Sequence, residues 1–248
     1  MEKSGILIDT NMKSTDVTKA LAKVVDKKKA KLLAGYFKTG KGGYGEGDVF
    51  LGVVVPAQRK IAREFLKLPL SEIQKLLNSK IHEHRLTALL ILVAQFEKGD
   101  EKTRKKIFDF YLKNAKRINN WDLVDLSSHE IVGAYLLDKP QIRREILRRL
   151  AESKNIWSRR IAIISTAHFI RKKDFADTLA LAEKLLADEH DLIHKAVGWM
   201  LREVGKRDEK VLRRFLDSYG AKMPRTTLRY AIEKFPEPER KKYLAVQK

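Results

Sequence analysis

Apolar residues recur at helical spacing along most of the chain. In residues 191–206, for example, Ile193 and Val197 lie on one stripe, and Asp191 is placed to cap the start of the helix. The same pattern predicts helices over 14–38, from Pro56 onward, 69–77, 82–96, 103–115, 121–137, 140–152, 156–171, 174–187, 191–206, 208–219, 225–234 and 237–245.

Helices of this length joined by very short turns usually pack as antiparallel neighbours. The sequence therefore predicts an all-α solenoid of stacked helix pairs, with 1–248 as a single domain. We expect residues 1–13 to form a poorly ordered tail. In 69–77, PLSEIQKLL, the residues Ser71 and Gln74 have the spacing of a capping box.

Residues 39–55 interrupt the helical pattern and hold six of the thirteen glycines. They include G-x-G-x-x-G at Gly40, Gly42 and Gly45, but a predicted helix precedes them where a dinucleotide site needs a strand. Two interpretations stay open. The segment is either a flexible connection between helices, or a loop whose backbone amides, beside Lys38 and Lys41, approach a phosphate.

Charge narrows the class of partner. Among 248 residues, Lys and Arg number 52 against 32 Asp and Glu, a formal net charge of +20 spread along the chain, which favours a polyanion. No stretch of 18 apolar residues could span a bilayer and no signal peptide is recognisable, so we expect a cytoplasmic protein without membrane contact. The absence of cysteine excludes disulfides, thiolate catalysis and cysteine-based metal sites.

Two histidine clusters invite a metal interpretation. His190 and His194 are four residues apart, and His82 and His84 flank Glu83. Neither cluster has the H-E-x-x-H spacing of a zinc site, and surface or capping histidines explain both. We therefore predict no metal site.

The acidic pair in NNWDLVDLS, residues 119–127, is the strongest candidate for chemistry. Asp122 and Asp125 are three residues apart, so on a helix they would repel unless one faces solvent or a cation. In one interpretation Asp122 caps or solvates the helix start and Asp125 pairs with an arginine. In the other, Trp121, one turn before Asp125, belongs with it to a functional site.

The two other tryptophans are each followed by arginines. Trp157 precedes Arg159 and Arg160, and Trp199 precedes Arg202. Aromatic faces beside guanidinium groups commonly grip a nucleic-acid backbone or an exposed base. Core packing is the alternative for each tryptophan, and it is favoured most for Trp157.

Taken together and in order, GYFKT, FLGVVVPAQRK, NNWDLVD, IWSRRIAI and AVGWMLREVGK resemble the AlkD-like DNA alkylation repair glycosylases. The likeness runs from about Tyr36 to Arg202 and on into the C-terminal helices. It implies HEAT-like antiparallel helix pairs in a right-handed superhelical solenoid with a basic concave face. Against the family pattern, the glycine-rich insertion before FLG is long, and Asn120 stands where a second tryptophan is expected.

The resemblance also implies roles for individual residues. Asp125, the second carboxylate of W-D-x-x-D, would be catalytic. The DNA-binding set would comprise two cradle tryptophans, a phosphate-facing arginine, a cleft tyrosine and a basic residue on the helix after the proline, namely Trp121, Trp199, Arg160, Tyr36 and Arg59.

The function implied is excision of cationic alkylated purines, such as 3-methyladenine and 7-methylguanine, from double-stranded DNA by a monomer, with no cofactor and without base flipping. Two competing functions stay open. One is a non-catalytic relative that binds branched or damaged DNA. The other is a helical-repeat scaffold for an acidic protein, for which the charge alone would suffice.

Overall fold

A computed structural model describes residues 12–245, and in this range it confirms the all-α prediction. The only β pairing in 12–245 is an isolated parallel bridge between Val49 and Ile81. The described chain forms two compact units, the first ending at Leu123 and the second beginning at Val124. None of its helices is both long and apolar enough to cross a membrane. The tail expected at 1–13 falls largely outside the described residues.

Between residue 12 and the motif, the described part of the first unit contains six helices. They are α1 (Ser14–Ala22), α2 (Lys27–Tyr36), α3 (Val55–Glu64), α4 (Leu70–Leu77), α5 (His82–Lys98) and α6 (Glu101–Lys113). α5 is buried on nearly all sides and packs against α3, α4 and α6. The expectation of a single helix over 14–38 is wrong, because α1 ends at Ala22 and α2 begins only at Lys27. The Asp26 side chain caps α2 by accepting from the Lys29 amide, and its own amide donates to the Leu51 carbonyl.

The boundary between the units falls inside α7 (Trp121–Asp125). The helix expected over 121–137 is interrupted, because a π-helical turn over His129–Gly133 follows before α8 (Ala134–Leu136). The helix expected over 156–171 is likewise two helices. The remaining helices are α9 (Pro140–Ala151), α10 (Ile156–Ser165), α11 (Ala167–Arg171), α12 (Ala176–Leu185), α13 (Asp191–Gly205), α14 (Glu209–Tyr219), α15 (Arg225–Ala231) and α16 (Glu237–Ala245).

Two glycines allow close helix packing in the second unit. A Cβ atom on Gly133 would lie 2.2 Å from the Ser165 carbonyl oxygen, and one on Gly198 would lie 2.5 Å from that of Thr227. The π-helical turn therefore packs directly on α10, and α13 packs directly on α15. The buried apolar side of α10 lies against α9 and α13, so α10 holds a fixed position in the core of this unit.

Two expected helix caps are wrong. α4 begins at Leu70 after Pro69 without a side-chain cap, and the Gln74 amide instead donates to Asn114 Oδ1 at 2.8 Å. α13 is capped by His190, whose Nδ1 accepts from the Leu192 amide at 3.1 Å. Within each unit the helices pack against others close to them along the chain, such as α3 with α5 and α13 with α15, as a helical solenoid requires. The right-handed superhelix, its basic concave face and the single domain stay predictions.

Candidate DNA interface and catalytic carboxylate

Five aromatic side chains of the first unit form an aromatic cluster: Tyr36, Phe37, Tyr44, Phe50 and Trp121. The Trp121 indole stacks on Phe37 with ring centroids 5.1 Å apart and an interplanar angle of 11°. Phe50 also stacks on Phe37, with ring centroids 5.0 Å apart. The Tyr36 ring meets the Trp121 indole edge-on at 6.0 Å. Two residues predicted to contact DNA, Tyr36 and Trp121, are thus brought together.

The cluster has a buried side and an exposed side. Phe37 and Phe50 are buried, whereas Tyr36 is 66% exposed and Trp121 is partly exposed. The Trp121 indole N–H donates to the Tyr44 hydroxyl at 3.2 Å. A surface that combines an exposed tyrosine with a held indole suits contact with a sugar or base.

A buried charge network lies beneath the aromatic cluster, and sequence reasoning missed it. The His82 ring contacts Asp122 through Nε2 at 2.8 Å and Asp48 through Nδ1 at 3.3 Å. Arg85 donates to the same Asp48 oxygen at 2.7 Å. The His82 ring also stacks on Phe50 at 4.6 Å. The network therefore joins the start of α5, the glycine-rich segment and the first aspartate of the motif.

Hydrogen bonds decide the protonation of this network. Burial lowers the pKa of His82, but the hydrogen bonds to Asp122 and Asp48 outweigh it, so the pKa of His82 lies above its usual value of 6.5. Burial raises the pKa of Asp48, but the His82 hydrogen bond and the Arg85 charge outweigh it and leave the pKa below 3.8. With His82 protonated, the four side chains carry no net charge.

Asp122 is therefore a buried structural carboxylate. It is 7% exposed, and besides its contact with His82 it accepts from the Leu123 amide at 2.9 Å. The interpretation that Asp122 caps or solvates the helix start is wrong as to solvation, because the carboxylate is buried. Its partner could not be found from spacing, because His82 is 40 residues away in the chain.

Asp125, at the end of α7, forms a two-point ion pair with Arg160 of α10. Arg160 Nε donates to Oδ1 at 2.8 Å, and Nη2 donates to Oδ2 at 2.7 Å. Arg160 also donates to the Leu192 carbonyl at the start of α13. The Asp125 side chain is 13% exposed and that of Arg160 is 5% exposed. The carboxylate is held in a fixed orientation with part of its surface open, and little of the guanidinium faces solvent.

The remaining tryptophans differ in exposure. Trp157 is buried, which confirms its interpretation as a core residue. Trp199 lies partly exposed on α13, next to the Gly198 contact with α15. Arg202, which follows it by three residues, pairs with Glu233.

Two basic side chains predicted or suggested to face phosphate are exposed. Arg59 lies on the surface of α3, and no residue within 12–245 pairs with it. Lys38 is exposed at the start of the glycine-rich segment, with its ammonium 6.0 Å from the centre of the Tyr44 ring. Both cations are available to an anionic partner.

The glycine-rich segment is folded into successive turns. Its Gly42 amide donates to Glu46 at 2.8 Å, and its Gly43 amide donates to the Gly40 carbonyl at 2.9 Å. These amides, which were candidates for a phosphate contact, are therefore engaged within the segment.

The histidine clusters have structural roles. His190 caps α13, and His194 contacts the Asp188 carbonyl. Across residues 12–245, no three His, Asp or Glu side chains are arranged to hold a metal ion.

Comparison with known proteins agrees with this fold. Residues 17–235 match the family model of the DNA alkylation repair enzymes. The structure is similar to that of a "predicted DNA alkylation repair enzyme from Enterococcus faecalis", with a TM-score of 0.69 and 17% identity over 86% of this chain and 97% of that one. At this identity the likeness concerns the fold. A search of curated proteins found no match.

The fold and the family match together place the chain in the class of all-α DNA repair proteins. The family model covers most of the chain, and the chain belongs to the DNA alkylation repair enzyme family. Membership gives it a role in the repair of alkylated DNA.

Proposed function

We propose that the protein is a monofunctional DNA glycosylase that excises cationic alkylated purines, such as 3-methyladenine and 7-methylguanine, from double-stranded DNA. The observation that carries the proposal is the Asp125 carboxylate, which is partly exposed and fixed at two points by Arg160. An aspartate is ionised at neutral pH, and a fixed negative charge stabilises a cation that develops beside it.

The chemistry needs only one carboxylate. A purine methylated on a ring nitrogen is already cationic, so when the bond between C1′ and the purine nitrogen breaks, the electron pair neutralises the base. No acid has to protonate the leaving group. The positive charge moves to C1′ and the sugar ring oxygen, where Asp125 stabilises it. Water then attacks C1′ and gives its proton to Asp125 or to solvent, which leaves an abasic site. Neither a metal nor a cofactor is required by these steps.

The other site residues hold the DNA. Trp121 and Trp199 each contact the sugar and phosphates of the DNA, and their indole faces favour the developing cation. Tyr36 is a further DNA contact. Arg59 anchors a phosphate. Arg160 was expected to face phosphate, and its contacts support the additional role of orienting Asp125. The protein acts as a monomer and holds the damaged nucleotide through the DNA backbone, without flipping the base.

One observation favours a second function, a non-catalytic relative that binds branched or damaged DNA. Both oxygens of Asp125 already accept from Arg160, as they would in a purely structural ion pair. The partial exposure of Asp125 favours the glycosylase. A carboxylate at a DNA-binding surface repels phosphate and does not strengthen binding, so a role in catalysis explains it better.

The test is release of free base from alkylated duplex DNA, with the products identified by chromatography. The proposal predicts methylated purines from the wild type and loss of release in Asp125→Asn, with DNA binding retained. Removing one such electrostatic group lowers the rate of catalysis by about 100- to 1000-fold. A scaffold for an acidic protein would show neither release nor a steep dependence of DNA affinity on salt.

Asp188→Asn is the matched control. Arg159, next to Arg160 in the chain, forms a two-point ion pair with Asp188, whose side chain is 5% exposed. The control loses a comparable ion pair outside the motif, so it should keep full release. Full release by Asp125→Asn would refute the mechanism, and no release by the wild type would favour the non-catalytic function.

A further inference from the structure

The glycine-rich segment is anchored at its C-terminal end by a buried carboxylate. Glu83 is 1% exposed and accepts from the amides of Leu51 at 3.0 Å, Gly52 at 2.8 Å and Val53 at 3.2 Å. Gly52 has φ +82°, which favours glycine, and a Cβ atom there would lie 2.0 Å from the Asp26 carbonyl oxygen. This end of the segment is therefore fixed to α2 and α5.

The middle of the segment lies against the aromatic cluster. A Cβ atom on Gly45 would lie 2.4 Å from the Phe37 carbonyl oxygen and 3.6 Å from the amide nitrogen of Asn120, which is fully buried. Only a glycine allows this approach. Asn120, which replaces the expected second tryptophan, thus lies beneath the insertion, and the two departures from the family pattern meet at one place.

Tyr44 connects the segment to the motif. Its hydroxyl accepts from the Trp121 indole N–H at 3.2 Å and donates to the Tyr36 carbonyl at 3.2 Å. One donor and one acceptor function of the hydroxyl are thus both used. The indole is held on its face by Phe37 and at its edge by Tyr44, so rotation of the ring would break a hydrogen bond and a stack.

We propose that Tyr44 is a positioning residue of the glycosylase site, which fixes the Trp121 indole in the orientation that holds the DNA backbone for the reaction. The inference rests on the proposed function. In this role the glycine-rich segment orients a DNA-binding side chain and does more than connect two helices. A carboxylate can stabilise a forming cation only if the sugar is held in register, so loss of orientation lowers kcat more than it weakens binding.

The test uses Tyr44→Phe, which removes the hydroxyl and keeps the ring. The chain has three tryptophans, so the protein labelled with ¹⁵N gives three indole N–H signals, and Trp121→Phe identifies the one in question. We expect Tyr44→Phe to shift that signal alone and to speed its exchange with solvent. We also expect kcat for excision to fall about three- to tenfold, the effect of one hydrogen bond, with KM within twofold.

Tyr243→Phe is the matched control, because Tyr243 is a partly buried tyrosine outside the segment whose ring contacts Phe235. It should change neither the Trp121 signal nor kcat. If the wild type is active and Tyr44→Phe leaves both the Trp121 indole signal and kcat unchanged, this inference alone would be overturned. A wild type without excision would overturn the proposed function and this role together. The indole signal would still report whether the contact exists.

Discussion

Replacing Asp122 by asparagine tests the buried charge network beneath the aromatic cluster. Asp122 is 7% exposed and His82 is 2% exposed, and their contact is 2.8 Å long. With Asp48 and Arg85 the network is neutral when His82 is protonated. Asp122→Asn removes one negative charge without changing the shape of the side chain, so it leaves one buried positive charge in excess.

Removal of one partner from a buried ion pair costs about 3–5 kcal/mol. Asparagine keeps an oxygen that can accept from His82, and His82 can release its proton. We therefore expect the free energy of unfolding to fall by the lower end of this range, about 3 kcal/mol at pH 6. In urea this corresponds to a midpoint lower by about 1–2 M. Asp109→Asn is the control, because Asp109 pairs with Lys105 on the surface, where the side chains are 55% and 61% exposed. Asp109→Asn should lower the free energy of unfolding by less than about 0.5 kcal/mol.

The same variant predicts a pH dependence with a definite sign. The pKa of His82 in the folded protein is raised above the 6.5 of the unfolded chain by its hydrogen bonds to Asp122 and Asp48, which outweigh burial. Stability from this source is therefore fully present below pH 6.5 and is lost as the pH rises through the folded-state value. The free-energy difference between wild type and Asp122→Asn should be largest below pH 6.5 and shrink above it. A loss no larger than that of Asp109→Asn, or a difference that grows with pH, would show that Asp122 and protonated His82 do not form a stabilising buried ion pair.

Three other variants test a phosphate contact, the backbone conformation of Gly52 and the role of Arg160. Arg59→Ala should weaken binding to all duplex sequences alike and lower the slope of log affinity against log salt by about one, and an unchanged slope would exclude a phosphate contact. Gly52→Ala should lower the free energy of unfolding by at least about 2 kcal/mol, because φ is +82° and the new methyl group meets the Asp26 carbonyl. A loss under about 0.5 kcal/mol would contradict this. Arg160→Lys keeps the charge but cannot hold both oxygens of Asp125, so excision should slow about tenfold while DNA affinity is kept, and an unchanged rate would deny Arg160 a positioning role.

The helices could be predicted from the sequence, because apolar spacing reports which face of each helix is buried. Breaks inside helices could not. The chain turns before Asp26 because the Asp26 amide pairs with the Leu51 carbonyl, a contact between distant residues. The π-helical turn at His129–Gly133 likewise depends on the close approach of Gly133 to Ser165. No glycine or proline marks the break before Asp26, and the presence of Gly133 does not by itself indicate a π-helical turn.

The site was only partly predictable for the same reason. An arginine partner for Asp125 was one of two interpretations of the acidic pair, and the structure identifies it as Arg160. The partner of Asp122 and the contact between Tyr44 and Trp121 join residues 40 and 77 positions apart. Local spacing carries no information about such pairs.

In the proposed mechanism the Asp125 carboxylate accelerates bond cleavage and does not serve mainly to bind DNA. The most direct measurement is the single-turnover rate of excision from methylated duplex DNA, taken with the dissociation constant for the same DNA, in Asp125→Asn and in Asp188→Asn. We expect a rate about 100- to 1000-fold lower for Asp125→Asn, with DNA binding unchanged or tighter, and a wild-type rate for Asp188→Asn. An Asp125→Asn variant that excises at the wild-type rate, or slows only as much as Asp188→Asn, would contradict the proposed mechanism.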